Sequence, residues 1–354
     1  NIWKTSSRWI RCYRRTLALV GIQKLSEPSS EGIADIIGNI QADISGIEHS
    51  ADYGTEHITT GIDMSLDTIQ SIISGDIWKH KTELGMATID SAFGGFNNTD
   101  FIVVGGRPGM GKTMFSTTVT ETVGLKNKKP VLFFSLEMPV DQISERVAFH
   151  RARVSKEDLL SKQSGVMDGA WGKVGHCMKD FIDSPIYIND KPSLSVHQVR
   201  AEARRMSKKL GGLGVVIVDY LQKMRMSDPE NMNRSVGEIA TGLKNLAKEL
   251  RCPVIALAQL NRKVEERANK RPVAADLRES GVIEQEADVI FMIYRDEKYN
   301  PNTELKGITE IICVKSRHAP GAEKTYHFSS RYSGLDPVAF HHSEQQEIDH
   351  DYEC

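Results

Sequence analysis

One glycine-rich segment constrains the fold of this chain more than any other feature. It reads Gly106-Arg107-Pro108-Gly109-Met110-Gly111-Lys112-Thr113, it follows the apolar run Phe101–Val104, and it precedes a helical stretch. A strand, this loop and a helix in that order are the context of a P-loop. The glycines let backbone N–H groups turn inward and hold phosphate oxygens at a helix N-terminus. The segment therefore predicts a nucleotide-binding α/β domain, with an ordinary glycine-rich turn as the alternative.

Charged and hydroxyl groups in and near this loop suit the phosphates of ATP and a magnesium ion. Lys112 brings positive charge to the β- and γ-phosphates, and the hydroxyl of Thr113 reaches Mg²⁺. Asp219 ends the apolar run Val215–Val218, at the carboxyl end of a predicted strand where α/β proteins bind their ligands. Asp219 is therefore the second predicted Mg²⁺ ligand, unless it only ends the strand and starts a turn.

A carboxylate and an amide follow two other predicted strands. Glu137 lies just past Val131–Ser135 and is predicted to act as general base toward the attacking water. It would stand beside the P-loop if this strand pairs with Phe101–Val104, and a helix-initiating Glu is the alternative. Gln259 ends a third apolar run, and a buried strand rarely ends in an amide that lacks a polar partner. The γ-phosphate would supply that partner, so Gln259 is a candidate nucleotide sensor, although a plain strand-terminating amide fits the pattern equally well.

Two cations follow the run Ile308–Val314. Lys315 and Arg317 occupy alternate positions and therefore point the same way. They are candidates for an arginine finger that completes an ATP site, in the same chain or in a neighbouring subunit. Exposed basic residues of a loop are the alternative.

Short apolar runs alternate with helical stretches from about residue 84 onward. The runs consist mostly of unbroken Val, Ile, Leu and Phe, as expected for parallel strands covered on both faces. They are Phe101–Val104, Val131–Ser135, Val215–Val218, Val254–Ala258, Val289–Ile293 and Ile308–Val314. This alternation predicts an α/β fold with a mostly parallel central sheet over residues 84–335.

The flanking regions have a different character. Apolar residues recur at helical spacing from Ile33 to Ile47, which predicts an amphipathic helix in a linker of residues 26–83. A polar stretch of about residues 48–62 is expected to be a flexible connection. Residues 336–354 are expected to be a polar tail. The chain begins at Asn1 rather than Met, so we expect a fragment or a processed form of a longer protein.

Composition excludes several classes of protein. The apolar runs are far shorter than the about 20 residues that span a bilayer, so no membrane association is expected. A formal charge of −2 excludes a histone-like polycation but leaves room for a locally basic channel. The five cysteines are scattered and form no Cys-x-x-Cys pair, which argues against a disulfide framework or a zinc site. Cysteines of this kind favour the reducing cytoplasm.

Taken in order, these segments resemble those of the DnaB-type hexameric replicative helicases, which carry a RecA-like motor domain. The resemblance covers roughly residues 84–330 and rests on the whole ordered set rather than on any one motif. The segments are Gly105–Thr113, Phe134–Met138, Val218–Gln222, Leu257–Arg262, Asp276–Gln285 and Lys315–Arg317.

The resemblance implies a RecA-like P-loop NTPase core that is preceded by a helical linker. It also implies a hexameric ring that moves along single-stranded DNA, by family precedent 5′→3′, and unwinds replication forks, with a helicase loader as a further partner. The resemblance implies that Glu137 activates the attacking water and that Gln259 senses the γ-phosphate. It also implies that Lys315 and Arg317 reach the ATP of the neighbouring subunit. The channel loop that holds DNA phosphates matches Arg278, Glu279 and Gly281, and the loop over residues 223–234 would offer Arg225 or Arg234. The Ile33–Ile47 helix would pack on the adjacent subunit, and packing within the chain is the alternative.

The chain departs from the family pattern at two places. His318-Ala319-Pro320-Gly321 stands where the family usually has Asn-Gly after its finger. Residues 1–25 hold only a remnant of the N-terminal helical domain that docks primase, so primase binding is not inferred. The alternative function is a RecA-like ATP switch or recombination mediator that binds single-stranded DNA without unwinding it. A further alternative is that the chain is an inactive prophage fragment.

Overall fold

A nine-stranded sheet organises the residues that the computed structural model describes, which are 57–74, 80–228, 231–277, 280–319 and 321–338. Its strands are β3 (Phe101–Gly106), β4 (Val131–Ser135), β5 (Ile186–Asn189), β6 (Val215–Asp219), β7 (Val254–Gln259), β8 (Val289–Tyr294), β9 (Ile308–Ser316), β10 (Thr325–Ser329) and β11 (Asp336–Pro337). A separate pair, β1 (Lys81–Thr82) and β2 (Phe96–Asn97), precedes them.

The strand order across the sheet is β11-β10-β9-β8-β3-β7-β6-β4-β5. The neighbouring strands β8, β3, β7, β6, β4 and β5 are parallel to one another. Strands β9, β10 and β11 each run antiparallel to the strand before them in the chain. Each strand predicted from the sequence is present, and the fold class is confirmed as α/β with a mostly parallel sheet. The sheet reaches Pro337, so the domain boundary predicted at residue 335 falls just short of β11.

Helices cover both faces of this sheet. The helices of the described part of the chain are α1 (Ile58–Ile73), which buries no residue, α2 (Ala87–Phe93), α3 (Lys112–Thr120), α4 (Val140–Ala152), α5 (Lys156–Leu159), α6 (Ser164–Ile182), α7 (Val196–Leu210), α8 (Met232–Leu250) and α9 (Ser280–Glu286). One face packs on α3 through Phe115 and Val119, and the other packs on α7 and α8 through Val199 and Leu243. Because both faces are covered, the parallel strands carry apolar residues at successive positions.

Three expectations need correction. The P-loop strand β3 does not pair with β4, because β7 and β6 lie between them. The segment before residue 62 is not all connection, because α1 begins at Ile58. Arg234 does not lie in a loop, because α8 begins at Met232 and Asn231 caps it by accepting from the Arg234 N–H at 3.2 Å.

Some expected features lie outside the described residues, namely the Ile33–Ile47 helix, residues 1–25, Arg278 and Glu279. Within the described part, no helix has the length and apolar character that crossing a membrane requires. Cys177, Cys252 and Cys313 are buried free thiols there.

Candidate nucleotide site and finger segment

The P-loop connects the carboxyl end of β3 to the first turn of α3. Gly109 and Gly111 have positive φ angles of 76° and 112°, which residues with a Cβ rarely adopt. The loop therefore needs glycine at these positions for its own path. The first N–H groups of α3 have no partner within the helix, and this helix end suits an anion.

Lys112 folds back onto the loop from which it projects. Its Nζ donates to the carbonyls of Gly106 at 2.8 Å and Arg107 at 3.3 Å. Burial lowers the pKa of Lys112 to about 8, against the opposing charges of Asp219 and Glu137. The ammonium group thus lies in the cradle, held by backbone carbonyls that a phosphate oxygen would replace.

Thr113 and Asp219 meet where the predicted magnesium ion would bind. The Thr113 hydroxyl donates to Asp219 Oδ2 at 3.4 Å, and Asp219 is only 4% exposed. Burial raises the pKa of Asp219 to about 6, while Lys112 opposes this shift and Glu137 adds to it. A hydroxyl and a carboxylate are hard oxygen ligands of the kind that Mg²⁺ prefers. The residues present therefore fit this ion.

Glu137 reaches the same edge of the sheet although its strand is not next to β3. Ser135 at the end of β4 is in register with Asp219, and the Leu136 N–H donates to the Asp219 carbonyl at 2.8 Å. Glu137 is exposed, and its charge acts on both Asp219 and Lys112. The carboxyl ends of parallel strands share one edge, so two intervening strands do not remove Glu137 from the site.

Gln259 stands at the end of β7, on the same edge, and a second amide fixes it. Gln222, in the turn Leu221–Lys223, accepts from the Gln259 N–H at 3.0 Å and donates to the Gln259 carbonyl at 3.2 Å. Gln222 was not expected from the sequence to have a role of its own. The only signal in the sequence is a side-chain amide three positions after Asp219, and this signal does not indicate which residue the amide would bind.

Arg107 ties the P-loop to the segment that follows Gln259. Its Nε pairs with Glu265 Oε1 at 2.8 Å, and its Nη1 donates to the Leu260 carbonyl at 2.9 Å. Leu260 also forms an antiparallel bridge with Leu277, which begins the predicted DNA loop, residues 277–281. The phosphate cradle and the start of this loop therefore contact the same short stretch of chain.

Lys315 and Arg317, here called the finger pair, lie near the amino ends of the parallel strands, whereas the P-loop lies at their carboxyl ends. The Asp288 carbonyl, just before β8, accepts from the Arg317 N–H at 2.9 Å, and Asp288 Oδ2 accepts from the N–H of Phe101 at the start of β3 at 2.8 Å. The P-loop begins at the other end of β3, which has 6 residues and spans about 20 Å at 3.3 Å per residue. The fold thus holds the finger pair away from the phosphate cradle of its own chain.

The family departure after Arg317 has a structural consequence. His318 Nε2 contacts Asp100 Oδ1 at 3.1 Å, and the Ala319 N–H donates to Ser316 Oγ at 3.1 Å. The chain therefore turns back toward the start of β3 immediately after the finger pair.

Gly281 and Arg234 are among the DNA-binding candidates that the structure describes. Gly281 lies in the first turn of α9, and nothing lies within 4 Å of the place that a Cβ would take. Arg234 points outward on α8 and pairs with Glu238 at 3.1 Å, with its side chain 71% exposed.

The parallel sheet, the P-loop and the acidic and amide groups at its carboxyl edge define a P-loop NTPase of the RecA-like class. The family model of the DnaB-like helicase C-terminal domain matches residues 82–336. The replicative DNA helicase DnaB of Pasteurella multocida is 40% identical over 329 residues, which are 90% of this chain and 69% of the relative. The chain belongs to the DnaB-like helicase family.

Solved structures agree with this assignment. A structure solved as a separate ATPase domain superposes with a TM-score of 0.70 and 30% identity, over 78% of this chain and 98% of that one. A DnaB-like replicative helicase, solved for its interactions with primase, gives a TM-score of 0.73 and 26% identity, over 95% of this chain and 78% of that one. The motor domain described above is therefore that of an NTP-hydrolysing DNA helicase.

Proposed function

We propose that this chain forms a hexameric ring that hydrolyses ATP with Mg²⁺, moves 5′→3′ along single-stranded DNA and unwinds the replication fork in the cytoplasm. One observation carries the proposal most directly: the finger pair and the phosphate cradle lie at opposite ends of the parallel strands. A site divided in this way is complete only when two subunits meet, so the active form is an assembly.

The residues at the carboxyl edge supply the chemistry within one subunit. Lys112 leaves the carbonyls of its own loop for the β- and γ-phosphate oxygens, and Glu137 takes a proton from the attacking water. Thr113 and Asp219 would hold Mg²⁺, which when bound neutralises charge on these oxygens. Gln259 contacts the γ-phosphate and loses that contact after hydrolysis. Because Gln259 leads through Leu260 to the DNA loop, its contact reports the nucleotide state to the DNA.

The neighbouring subunit supplies the remaining positive charge through its own finger pair. An arginine delivered to the γ-phosphate raises phosphoryl-transfer rates by about 10³–10⁵. The exposed apolar face of α1 supports such an assembly, because a helix with that face needs a partner surface. This face consists of Ile58, Ile62, Leu66, Ile69 and Ile73.

DNA would run through the centre of the ring, against Arg278, Glu279 and Gly281 of the DNA loop and against Arg234. In this arrangement residues 84–337 form the motor, residues 26–83 form the linker, residues 1–25 belong to an N-terminal helical domain, and residues 338–354 form a tail. A helicase loader is a further partner, since a closed ring must be placed on DNA. Primase contact is not proposed.

Strand displacement on a forked DNA substrate tests the proposal. The wild-type chain should unwind the fork only with ATP and Mg²⁺, and Lys112→Ala should abolish unwinding. Lys162→Ala, at an exposed lysine outside the site, is the matched control and should unwind normally. DNA binding and ATP hydrolysis without unwinding would favour the switch or mediator, and a Lys112→Ala protein that still unwinds would refute the motor.

A further inference from the structure

The finger pair has a ligand within its own chain, which is the C-terminal end of α9. Lys315 Nζ donates to the carbonyls of Glu284 and of Ala287, the latter at 2.7 Å, and Arg317 Nη2 donates to the carbonyl of Gln285. The last carbonyls of a helix have no partner within it, and cations near them also interact favourably with the helix dipole. The two side chains therefore cap α9.

Asp288 holds Arg317 in this position. Its Oδ1 lies 3.2 Å from Arg317 Nη1, and its own carbonyl accepts the Arg317 N–H at 2.9 Å. The carboxylate is 3% exposed and also pairs with Lys244 at 2.5 Å. Asp288 thus binds Arg317 through both its carbonyl and its carboxylate. These two contacts fix the Arg317 side chain in the capping position.

The other end of α9 is the DNA loop. The helix begins at Ser280, so Ser280 and Gly281, the last two residues of the DNA loop, lie in its first turn. Ile283 is fully buried, and Thr241 Oγ1 lies 3.2 Å from Glu286 Oε1, which holds the helix against α8. A helix of 7 residues is about 10 Å long, so its capped end and the DNA loop are only two turns apart.

We propose that the finger pair alternates between two ligands, the C-terminal carbonyls of α9 and the phosphates bound by the neighbouring subunit. This inference rests on the proposed function. When the neighbour's nucleotide takes the two cations, Glu284, Gln285 and Ala287 lose their donors, and the last turn of α9 loosens. The exchange of ligands links the nucleotide in one subunit to the DNA loop of the next.

Hydrogen exchange of the α9 amides tests the first half of the proposal. In nucleotide-free protein, the double variant Lys315→Met, Arg317→Met should exchange these amides about threefold faster or more, since both capping cations are gone. Lys315→Arg, which keeps both charges, should retain slow exchange. The control Lys324→Met removes a cation that lies over Tyr326 in the same hairpin and should change nothing. Equal exchange in the double variant and wild type would overturn the capping role.

A non-hydrolysable ATP analogue with Mg²⁺ and single-stranded DNA tests the second half. In the assembled wild-type ring the analogue should speed α9 exchange, whereas the double variant should show no further change. A ring that hydrolyses ATP and unwinds DNA, yet whose α9 amides ignore the analogue, overturns this link alone. A chain that stays monomeric with nucleotide present refutes the proposed function, and the second ligand with it.

Discussion

Gln222 holds the main chain of Gln259 by both of its polar groups, accepting from the N–H at 3.0 Å and donating to the carbonyl at 3.2 Å. The ladder between β6 and β7 ends at Val218 and Ala256. The side-chain amide of Gln222 therefore extends the pairing of these strands to the point where the sensor stands. It also joins the segment that carries Asp219 to the segment that leads to the DNA loop.

Removing this clamp should slow catalysis more than it weakens binding. Gln222→Met keeps the length of the side chain but loses two hydrogen bonds, each worth about 1 kcal/mol. We expect kcat for ATP hydrolysis to fall about three- to tenfold with a smaller change in KM, because the clamp positions Gln259 without touching the nucleotide. Gln222→Glu keeps the acceptor for the Gln259 N–H but sets a second acceptor against the Gln259 carbonyl, so this variant should also be impaired. The exposed Gln142→Met on α4 is the control, and a loss confined to KM would contradict the positioning role.

The contact between Arg107 and Glu265 should matter for DNA stimulation rather than for stability. The Glu265 side chain is 42% exposed, so the ion pair is worth about 0–1 kcal/mol to folding. In Glu265→Gln we expect the DNA-free ATPase rate to stay within about twofold, and its stimulation by single-stranded DNA to fall by a larger factor. Glu266→Gln, at the adjacent exposed glutamate, should behave as wild type. Equal stimulation in both variants would show that this tie carries no signal.

The apolar face of α1 should decide assembly. Ile69 is 51% exposed on this face, and an apolar side chain covered at an interface contributes about 1.5–3 kcal/mol. Ile69→Asn should therefore shift the assembly to at least about tenfold higher protein concentration in sedimentation. The unfolding transition of the monomer should not move. Asp67→Asn, on the same helix, is the control, and an unchanged assembly curve for Ile69→Asn would separate this face from the interface.

A buried histidine should make stability fall as pH rises. His150 is 3% exposed and lies between Glu121 and Asp336, with Asp336 Oδ1 3.6 Å from Nε2. Burial alone would lower the pKa of His150, but the adjacent carboxylates of Asp336 and Glu121 outweigh it and raise the pKa above its ordinary value of 6.5. The folded pKa exceeds the unfolded one, so the stabilisation is complete below about pH 6.5 and is lost as pH rises through the folded pKa.

Thermal unfolding between pH 6 and 9 checks this expectation. The Tm of the wild type should decline more steeply over this range than that of His150→Gln. His176→Gln removes an exposed histidine and should retain the wild-type slope. The same slope in wild type and His150→Gln would contradict the assignment of the charge to His150.

The strands could be predicted because their signal is local. A parallel strand covered on both faces is apolar at successive positions, so β3, β4, β6, β7 and β8 could each be recognised without knowledge of their neighbours. Their order could not, because side-by-side placement depends on contacts between distant parts of the chain. The sequence therefore places Glu137 beside the P-loop only on the condition that β3 pairs with β4, and that pairing does not occur.

The P-loop and the groups at the strand ends could likewise be found from spacing alone. Their partners could not: Arg107 and Glu265 are separated by 158 positions, and Gln222 and Gln259 by 37. Helix α1 was missed although its apolar residues recur at helical spacing, because Thr, Ser and Gly around them resemble a polar connection. The capping of α9 by the finger pair depends on the turn of β9 against β8, which no local pattern encodes.

The rate of ATP hydrolysis per chain, measured with single-stranded DNA across protein concentrations from monomer to ring, tests the central claim most directly. We expect a rate per chain that rises with assembly. Arg317→Ala should assemble and bind nucleotide normally but lose this rise, because an arginine finger contributes about 10³-fold or more. A monomer that hydrolyses ATP at the full rate per chain, or an Arg317→Ala monomer that no longer binds nucleotide, would contradict a site completed by the neighbouring subunit.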